Sequence, residues 1–220
     1  KPLGTIGRAG VYSFYATKTI TTGEGGMVVT NDEALARRMS LMRLHGIDRD
    51  VWDRYTSTTP GWEYRVVEAG YKYNMPDILA AIGRVQLRKA TAFLERRRAI
   101  AAAYTEGLAS RDYLTLPPPS PGGSWHLFII RIKSGRLSIS RDEYINRLAE
   151  TGVGTSVHYI PLHIMPYYRE RYGLRPEDFP VSLDAYKAAI SLPIYPGLDD
   201  ESIDRVIHAV TEIGDGALRH

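Results

Sequence analysis

The residues best suited to chemistry lie close together near the start of the chain. Lys18 is a primary amine set among Ala16, Thr17, Thr19, Thr21 and Thr22, and it precedes Gly23-Glu24-Gly25-Gly26. A lone loop lysine is ordinarily a solvated surface charge. A lysine that forms a Schiff base needs rigid placement and a lowered pKa. The end of a short strand supplies the rigidity, and a glycine-rich turn lets backbone approach a planar ligand closely. Upstream, Ser13 offers a hydroxyl suited to a phosphate oxygen; taken alone it reads first as a strand-face residue.

The elements that must position these groups can be read from pattern. Val11–Tyr15 is rich in β-branched and aromatic residues and predicts a strand, and Met27–Thr30 predicts a second. Asn31 or Asp32 caps a helix that ends near His45-Gly46. Residues 47–73 are aromatic and irregular, with Trp52, Tyr55, Trp62 and Tyr64, and long loops of this kind tend to be functional. Asn74 precedes Pro76-Asp77 and is suited to capping the helix that follows. Ile78, Leu79, Ile82, Val85, Leu87, Phe93 and Leu94 recur at helical spacing to about Leu108. On that helix, Arg96-Arg97-Arg98 reads as a solvated face.

Beyond Pro117–Pro119 and Gly122-Gly123 the pattern predicts a strand over His126–Ile132. A capping box at Ser140-x-x-Glu143 opens a helix to about Thr151. Another strand is expected over Gly154–Ile160, with short helices near Pro166–Tyr172, Leu183–Ile190 and Asp199–Ile213. Two short strands cannot make a stable sheet alone, so the strands at 11–15 and 27–30 require partners from further sequence.

Composition bounds the function. The chain has 220 residues, 44% hydrophobic and 24% charged, an ordinary globular balance. Twenty-eight basic residues against 25 acidic ones leave +3, too little to imply nucleic acid. There is no cysteine, which excludes disulfides, thiolate nucleophiles and cysteine-based zinc sites. No metal ligand set is evident. No apolar run approaches the roughly 20 residues of a membrane span.

Five ordered blocks carry a resemblance. Ser13-Phe14-Tyr15-Ala16-Thr17-Lys18 followed by Gly23-Glu24-Gly25-Gly26-Met27-Val28-Val29-Thr30 resembles the lysine segment of the sugar-nucleotide aminotransferases. These form the DegT/DnrJ/EryC1/StrS family of pyridoxal 5'-phosphate-dependent enzymes. Arg43-Leu44-His45-Gly46 resembles the family's next element. Gly70-Tyr71-Lys72-Tyr73-Asn74-Met75-Pro76-Asp77, with Ala80-Ala81 and Gln86-Leu87, is similar to its third. Tyr159-Ile160-Pro161-Leu162-His163 and Ser191-Leu192-Pro193-Ile194-Tyr195-Pro196 resemble its two C-terminal signatures.

The resemblance implies an α/β, fold-type I transferase-like architecture: the end of the large domain over 1–75, then a long connecting helix and small α+β C-terminal domain over 76–220. It implies that Lys18 holds pyridoxal 5'-phosphate as a Schiff base and moves the proton in transamination. Ser13 would bind the cofactor phosphate. Asn74 would reach the phosphate of the neighbouring subunit's cofactor, so that a homodimer shares its active sites. Tyr159 and His163 would lie near substrate, although a lone histidine is more often packed or at the surface. Lys72 receives no role.

The implied substrates are a nucleotide-linked keto-sugar and an amino-acid donor, with glutamate expected, in a cytoplasmic enzyme of polysaccharide or glycosylated-metabolite biosynthesis, with neither nucleic acid nor membrane as partner. Related dehydratases carry His where this chain has Lys18, which favours the aminotransferase branch.

The family's N-terminal half supplies a Gly-Thr phosphate turn, a ring-stacking aromatic residue and an Asp for the pyridine nitrogen. No counterpart is found among the 17 residues before Lys18. The chain is therefore expected to be the C-terminal part of a longer enzyme. The alternative is a catalytically inactive truncated relative serving as a dimerisation or binding module.

Overall fold

The computed structural model describes residues 1–48, 64–133 and 135–219. Trp52, Tyr55 and Trp62 of the aromatic segment lie outside the described residues. The chain divides into two compact units, Lys1–Ala90 and Thr91–His220.

In the first unit, strands β1 (Gly10–Ser13) and β2 (Gly26–Val29) pair antiparallel, with Val11 opposite Val28 and Ser13 opposite Gly26. Helix α1 (Glu33–Met42) follows, and the Asp32 carboxylate accepts the Leu35 amide at 3.0 Å to cap it. β1 is one residue shorter than the sequence pattern suggests, and both strands start one residue earlier. Their apolar side chains are not covered within this unit: Val11 is 78% exposed and Met27 53%. These exposed apolar side chains mark a sheet made to be covered, and two strands alone bury neither face.

After α1 the chain doubles back on itself. His45 donates its amide to the Tyr71 carbonyl at 2.8 Å, Tyr73 donates to Arg43 at 2.8 Å, and Val67 donates to Gly46 at 2.9 Å. Gly46 has φ +67°, and a Cβ there would stand 1.9 Å from the Glu68 carbonyl oxygen. The Arg43-Leu44-His45-Gly46 block lies alongside residues 66–73, with antiparallel bridges Leu44–Lys72 and Ile47–Val66. Helix α2 (Asp77–Leu108) comes next and runs on into the second unit's sequence.

The second unit holds every buried hydrophobic side chain among the described residues, from Ile100 to Ala217. Its sheet has the order β3 (Leu114–Thr115), β4 (Phe128–Ile132), β5 (Ala189–Leu192), all antiparallel. Phe128, Ile130 and Ile132 of β4 are buried, while Arg131 between them is exposed, as the two-residue period requires. Helices α3 (Arg141–Glu150) and α6 (Asp200–Asp215) contribute Tyr144, Leu148, Ile203, Val206 and Val210 to the core. Helices α4 (Pro166–Tyr172) and α5 (Pro180–Ala188) complete the unit.

Three expectations are corrected in this unit. Gly154–Ile160 is not a strand; it makes a single bridge, Ser156 to Ser191. The helix expected over Leu183–Ile190 ends at Ala188, and Ala189–Leu192 is a strand. That strand is buried at all four positions, so its sequence lacks the alternation that would set it apart from a buried helix.

The arginine run is the third correction. Arg97 is 5% exposed and its Nη1 donates to the carbonyls of Trp125, Ile194 and His126. Arg96 pairs with Asp200 at 2.8 Å, and Arg98 donates to the Pro121 carbonyl at 3.2 Å. Three consecutive residues on a helix point 100° apart, so one of them can enter the core while its neighbours stay at the surface.

Candidate active site

Lys18 follows β1 in a turn tied down by its own backbone. The Phe14 amide donates to Gly25 at 2.8 Å, the Thr22 amide donates to Phe14 at 2.9 Å, and the Lys18 amide donates to Tyr15 at 2.9 Å. Thr21 Oγ1 donates to the Phe14 carbonyl at 3.1 Å and accepts the Gly23 amide at 2.9 Å. The threonines around Lys18 therefore replace the hydrogen bonds that a regular strand would have made. Gly25 has φ +145°, and a Cβ there would lie 2.6 Å from Thr22 Oγ1, so the turn admits no side chain at this point.

The same turn rests on the first part of α2. Thr22 is 2% exposed, and a Cβ on Gly83 would sit 2.9 Å from its methyl carbon. The Thr21 amide donates to Gln86 Oε1 at 3.5 Å. Gly83 and Gln86 thus hold the lysine turn, a role that the helical pattern did not reveal.

Lys18 is half-buried, and its ammonium makes no hydrogen bond or ion pair among the described residues. Ser13 is exposed, and its Oγ accepts the Tyr15 amide at 3.3 Å, leaving its proton available to an anion. An uncommitted amine and an exposed hydroxyl on one braced segment fit a phosphate-bearing aldehyde cofactor. Asn74 does not cap α2, whose first residue is Asp77. The Pro76 carbonyl accepts the Ala80 amide at 3.0 Å, and Asn74 Oδ1 accepts from the Lys72 ammonium. Lys72, for which the sequence offered no role, orients the Asn74 amide.

Tyr159 and His163 belong to the second unit. Tyr159 is 68% exposed and lines a cavity of about 550 Å³ together with His158, Ile160, Leu162, Arg131 and Tyr186. The His158 ring packs edge-on against Tyr159, centroids 4.7 Å apart, and its Nδ1 lies 2.8 Å from Ser191 Oγ. Ser191 is only 4% exposed, so His158 is the link between the sheet and Tyr159. His163 is 6% exposed and lies against Phe179, with its Nε2 buried and without a hydrogen-bond partner. His158 was missed from the sequence, where nothing marks it apart from its place one residue before Tyr159.

The model of the DegT/DnrJ/EryC1/StrS aminotransferase family matches residues 1–211. The chain belongs to this family. It is 46% identical over 215 residues to an uncharacterized protein of Methanocaldococcus jannaschii, covering 97% of this chain and 55% of that protein. It is 41% identical over 218 residues to the spore coat polysaccharide biosynthesis protein SpsC of Bacillus subtilis, covering 98% of this chain and 56% of that protein.

Among solved structures, Helicobacter pylori PseC, an aminotransferase involved in the biosynthesis of pseudoaminic acid, superposes with a TM-score of 0.86 at 30% identity, over 98% of this chain and 56% of that one. A Streptococcus pneumoniae protein assigned as a sugar aminotransferase, in its PLP form, gives 0.85 at 30% identity, over 100% of this chain and 55% of that one. The fold is the mixed α/β fold of the fold-type I pyridoxal-phosphate-dependent sugar aminotransferases. The chain spans about half the length of the relatives it matches. Among the described residues, no helix is long and apolar enough to cross a membrane.

Proposed function

We propose that this chain is the lysine-bearing part of a pyridoxal 5'-phosphate-dependent aminotransferase acting on a nucleotide-linked keto-sugar, with glutamate as donor. The observation that carries the reading is the uncommitted, half-buried Lys18 on its braced turn, next to the exposed Ser13 hydroxyl. When bound, pyridoxal 5'-phosphate supplies an electron sink for charge that develops at the donor's α-carbon. Lys18 holds the cofactor covalently. Once released, its Nζ takes the α-proton as a base and returns a proton as an acid.

The remaining roles are assigned residue by residue, within each unit. Ser13 Oγ donates to the cofactor phosphate. The Asn74 amide, oriented by Lys72, serves the phosphate of a neighbouring subunit in a homodimer. Tyr159 contacts the sugar, and His163, with its Nε2 buried, lies near it. The uncovered apolar side chains of β1 and β2 support the view that the working enzyme includes further sheet strands beyond these 220 residues, among them those that carry the group facing the pyridine nitrogen. A cytoplasmic setting and a place in polysaccharide biosynthesis belong to the same proposal.

Reductive trapping tests it. The full-length protein is mixed with pyridoxal 5'-phosphate, treated with borohydride, digested and analysed by mass spectrometry. The cofactor mass is expected on the peptide containing Lys18 and is absent in Lys18→Ala. A protein that dimerises in solution but takes up no label would support the binding-module alternative instead.

A further inference from the structure

A second cavity, of about 880 Å³, opens on the second unit and includes none of Ser13, Lys18, Asn74, Tyr159 or His163. Among the described residues its wall carries five cations, Arg131, Lys133, Arg141, Lys187 and Arg219, against the one carboxylate of Asp184. Four of the five, Arg131, Lys133, Lys187 and Arg219, are exposed and make no ion pair among the described residues. Other arginines of this unit are paired, among them Arg96 with Asp200 and Arg136 with Asp112, while Arg98, Arg169 and Arg171, away from this cavity, make no ion pair among the described residues. Converging like charges repel one another, and a bound anion relieves that repulsion.

The cations come from four parts of the unit: β4 and the residue after it, the start of α3, the end of α5 and the C-terminal segment. Arg131 lies on the exposed face of β4, and Lys133 follows two residues on. Arg141 opens α3, and its side chain is only 10% exposed. Its Nη1 donates to the carbonyls of Tyr186 at 3.1 Å and Ala189 at 2.9 Å, and its guanidinium sits 5.1 Å from the Tyr186 ring centroid. Its Nε is used by Asp142, while Nη2 donates to no group among the described residues. The segment carrying Arg219 is pinned by the Ser138 amide to the Ala217 carbonyl at 2.8 Å and by the Arg219 amide to Arg136 at 3.0 Å.

The rest of the wall limits the ligand. The volume suits a small organic molecule and exceeds what a lone phosphate would fill. The described lining residues include no aromatic side chain on which a nucleobase could stack. Hydroxyls of Thr115, Ser138 and Ser140 stand beside the cations. We infer that this cavity binds a phosphorylated sugar without a nucleobase, its phosphoryl group on Lys187, Arg219 and Arg141 and its hydroxyls on the serine and threonine side. This inference does not rest on the proposed transamination.

Calorimetric titration of the purified protein in phosphate-free, low-salt buffer tests the inference, with glucose 1-phosphate, inorganic pyrophosphate, uridine monophosphate and glucose as probes. Arg131 also lines the Tyr159 cavity, so the variants are Lys187→Ala and Arg219→Ala. Saturable one-to-one binding of glucose 1-phosphate is expected, weakening as salt rises. Each variant should weaken it about tenfold, with melting temperatures within about 2 °C of the parent. Glucose should not bind. Pyrophosphate binding tighter than glucose 1-phosphate would remove the sugar from the inference, and tighter uridine monophosphate binding would overturn its base-free part. Absence of saturable binding, or binding unchanged in both variants, would overturn it altogether.

Discussion

Arg97 donates its Nη1 to the carbonyl oxygen of Ile194 at 2.9 Å inside the second unit, and the same nitrogen serves Trp125 at 3.0 Å. Burial lowers the pKa of this guanidinium from its ordinary value, but it remains the donor that three loop carbonyls share. Ile194 belongs to the Ser191–Pro196 block, so this arginine ties the block to α2. Arg97→Ala leaves those carbonyls without their donor inside the core. The expected loss is about 3 kcal/mol of unfolding free energy by urea titration. The exposed neighbour, in Arg98→Ala, should change stability by less than about 0.5 kcal/mol.

Gly214 sets helix propensity against packing. Gly214 lies in the last turn of α6, where alanine is still favoured over glycine, though by less than the roughly 1 kcal/mol of a helix interior. A Cβ at this position would stand 2.3 Å from the ring of Tyr113, which is 1% exposed and fixed by its hydroxyl to Asp215 at 3.0 Å. The ring cannot move aside cheaply, and overpacking costs about 1–3 kcal/mol. Gly214→Ala is therefore expected to lower the melting temperature although it improves the helix. A rise would show that Tyr113 has room to shift.

Asp199 caps α6 by accepting the Ser202 amide at 2.8 Å. Hydrogen bonds from the Ser202 hydroxyl, then from its amide, hold the Asp199 carboxyl below the usual aspartate range. A carboxylate with a lowered folded pKa stabilises the fold fully above its unfolded pKa. It loses that contribution as pH falls through the folded one. Thermal melts should therefore show stability declining on acidification below the ordinary aspartate range. Asp199→Asn keeps a capping acceptor without the charge, so its decline should be shallower. Identical slopes would remove Asp199 from the acid response.

Ser13→Ala tests the phosphate role separately from the lysine. Removing one hydroxyl donor to a phosphate should weaken cofactor binding about ten- to hundredfold, since such a bond is worth about 1.5–3 kcal/mol. Trapping on Lys18 should persist at saturating cofactor. Unchanged affinity would return Ser13 to a strand-face residue.

His158→Phe keeps an aromatic ring beside Tyr159 but breaks the link to Ser191. If His158 positions Tyr159, the KM for the sugar substrate should rise several-fold with little change in kcat, and Gln at position 158 should restore part of the loss. Equal falls in kcat and kcat/KM would point to a direct chemical role instead.

The turn that carries Lys18 was legible in the chain because it is local. Lys18 and the glycines after it lie between β1, which ends at Ser13, and β2, and glycine and threonine announce a turn by their own backbone preferences. The Asp32 and Ser140 caps are local as well. Ser140 Oγ accepts the Glu143 amide at 3.1 Å. The second half of the expected capping box does not form, because the Glu143 carboxylate binds Arg147 at 2.9 Å.

What the tertiary structure alone decided lies at long range. Arg97 is a solvated charge by every local rule, and only the carbonyls of Trp125, His126 and Ile194, brought in from distant loops, make its burial tolerable. Residues 189–192 are a strand because β4 offers a free edge, not because of their own pattern. Lys187 and Arg219 share a cavity because the C-terminal segment is pinned to residues 136–138. Local backbone preference and side-chain chemistry can be read from neighbouring residues. The partner that satisfies a buried polar group, or covers an apolar face, depends on segments that come together only when the chain folds.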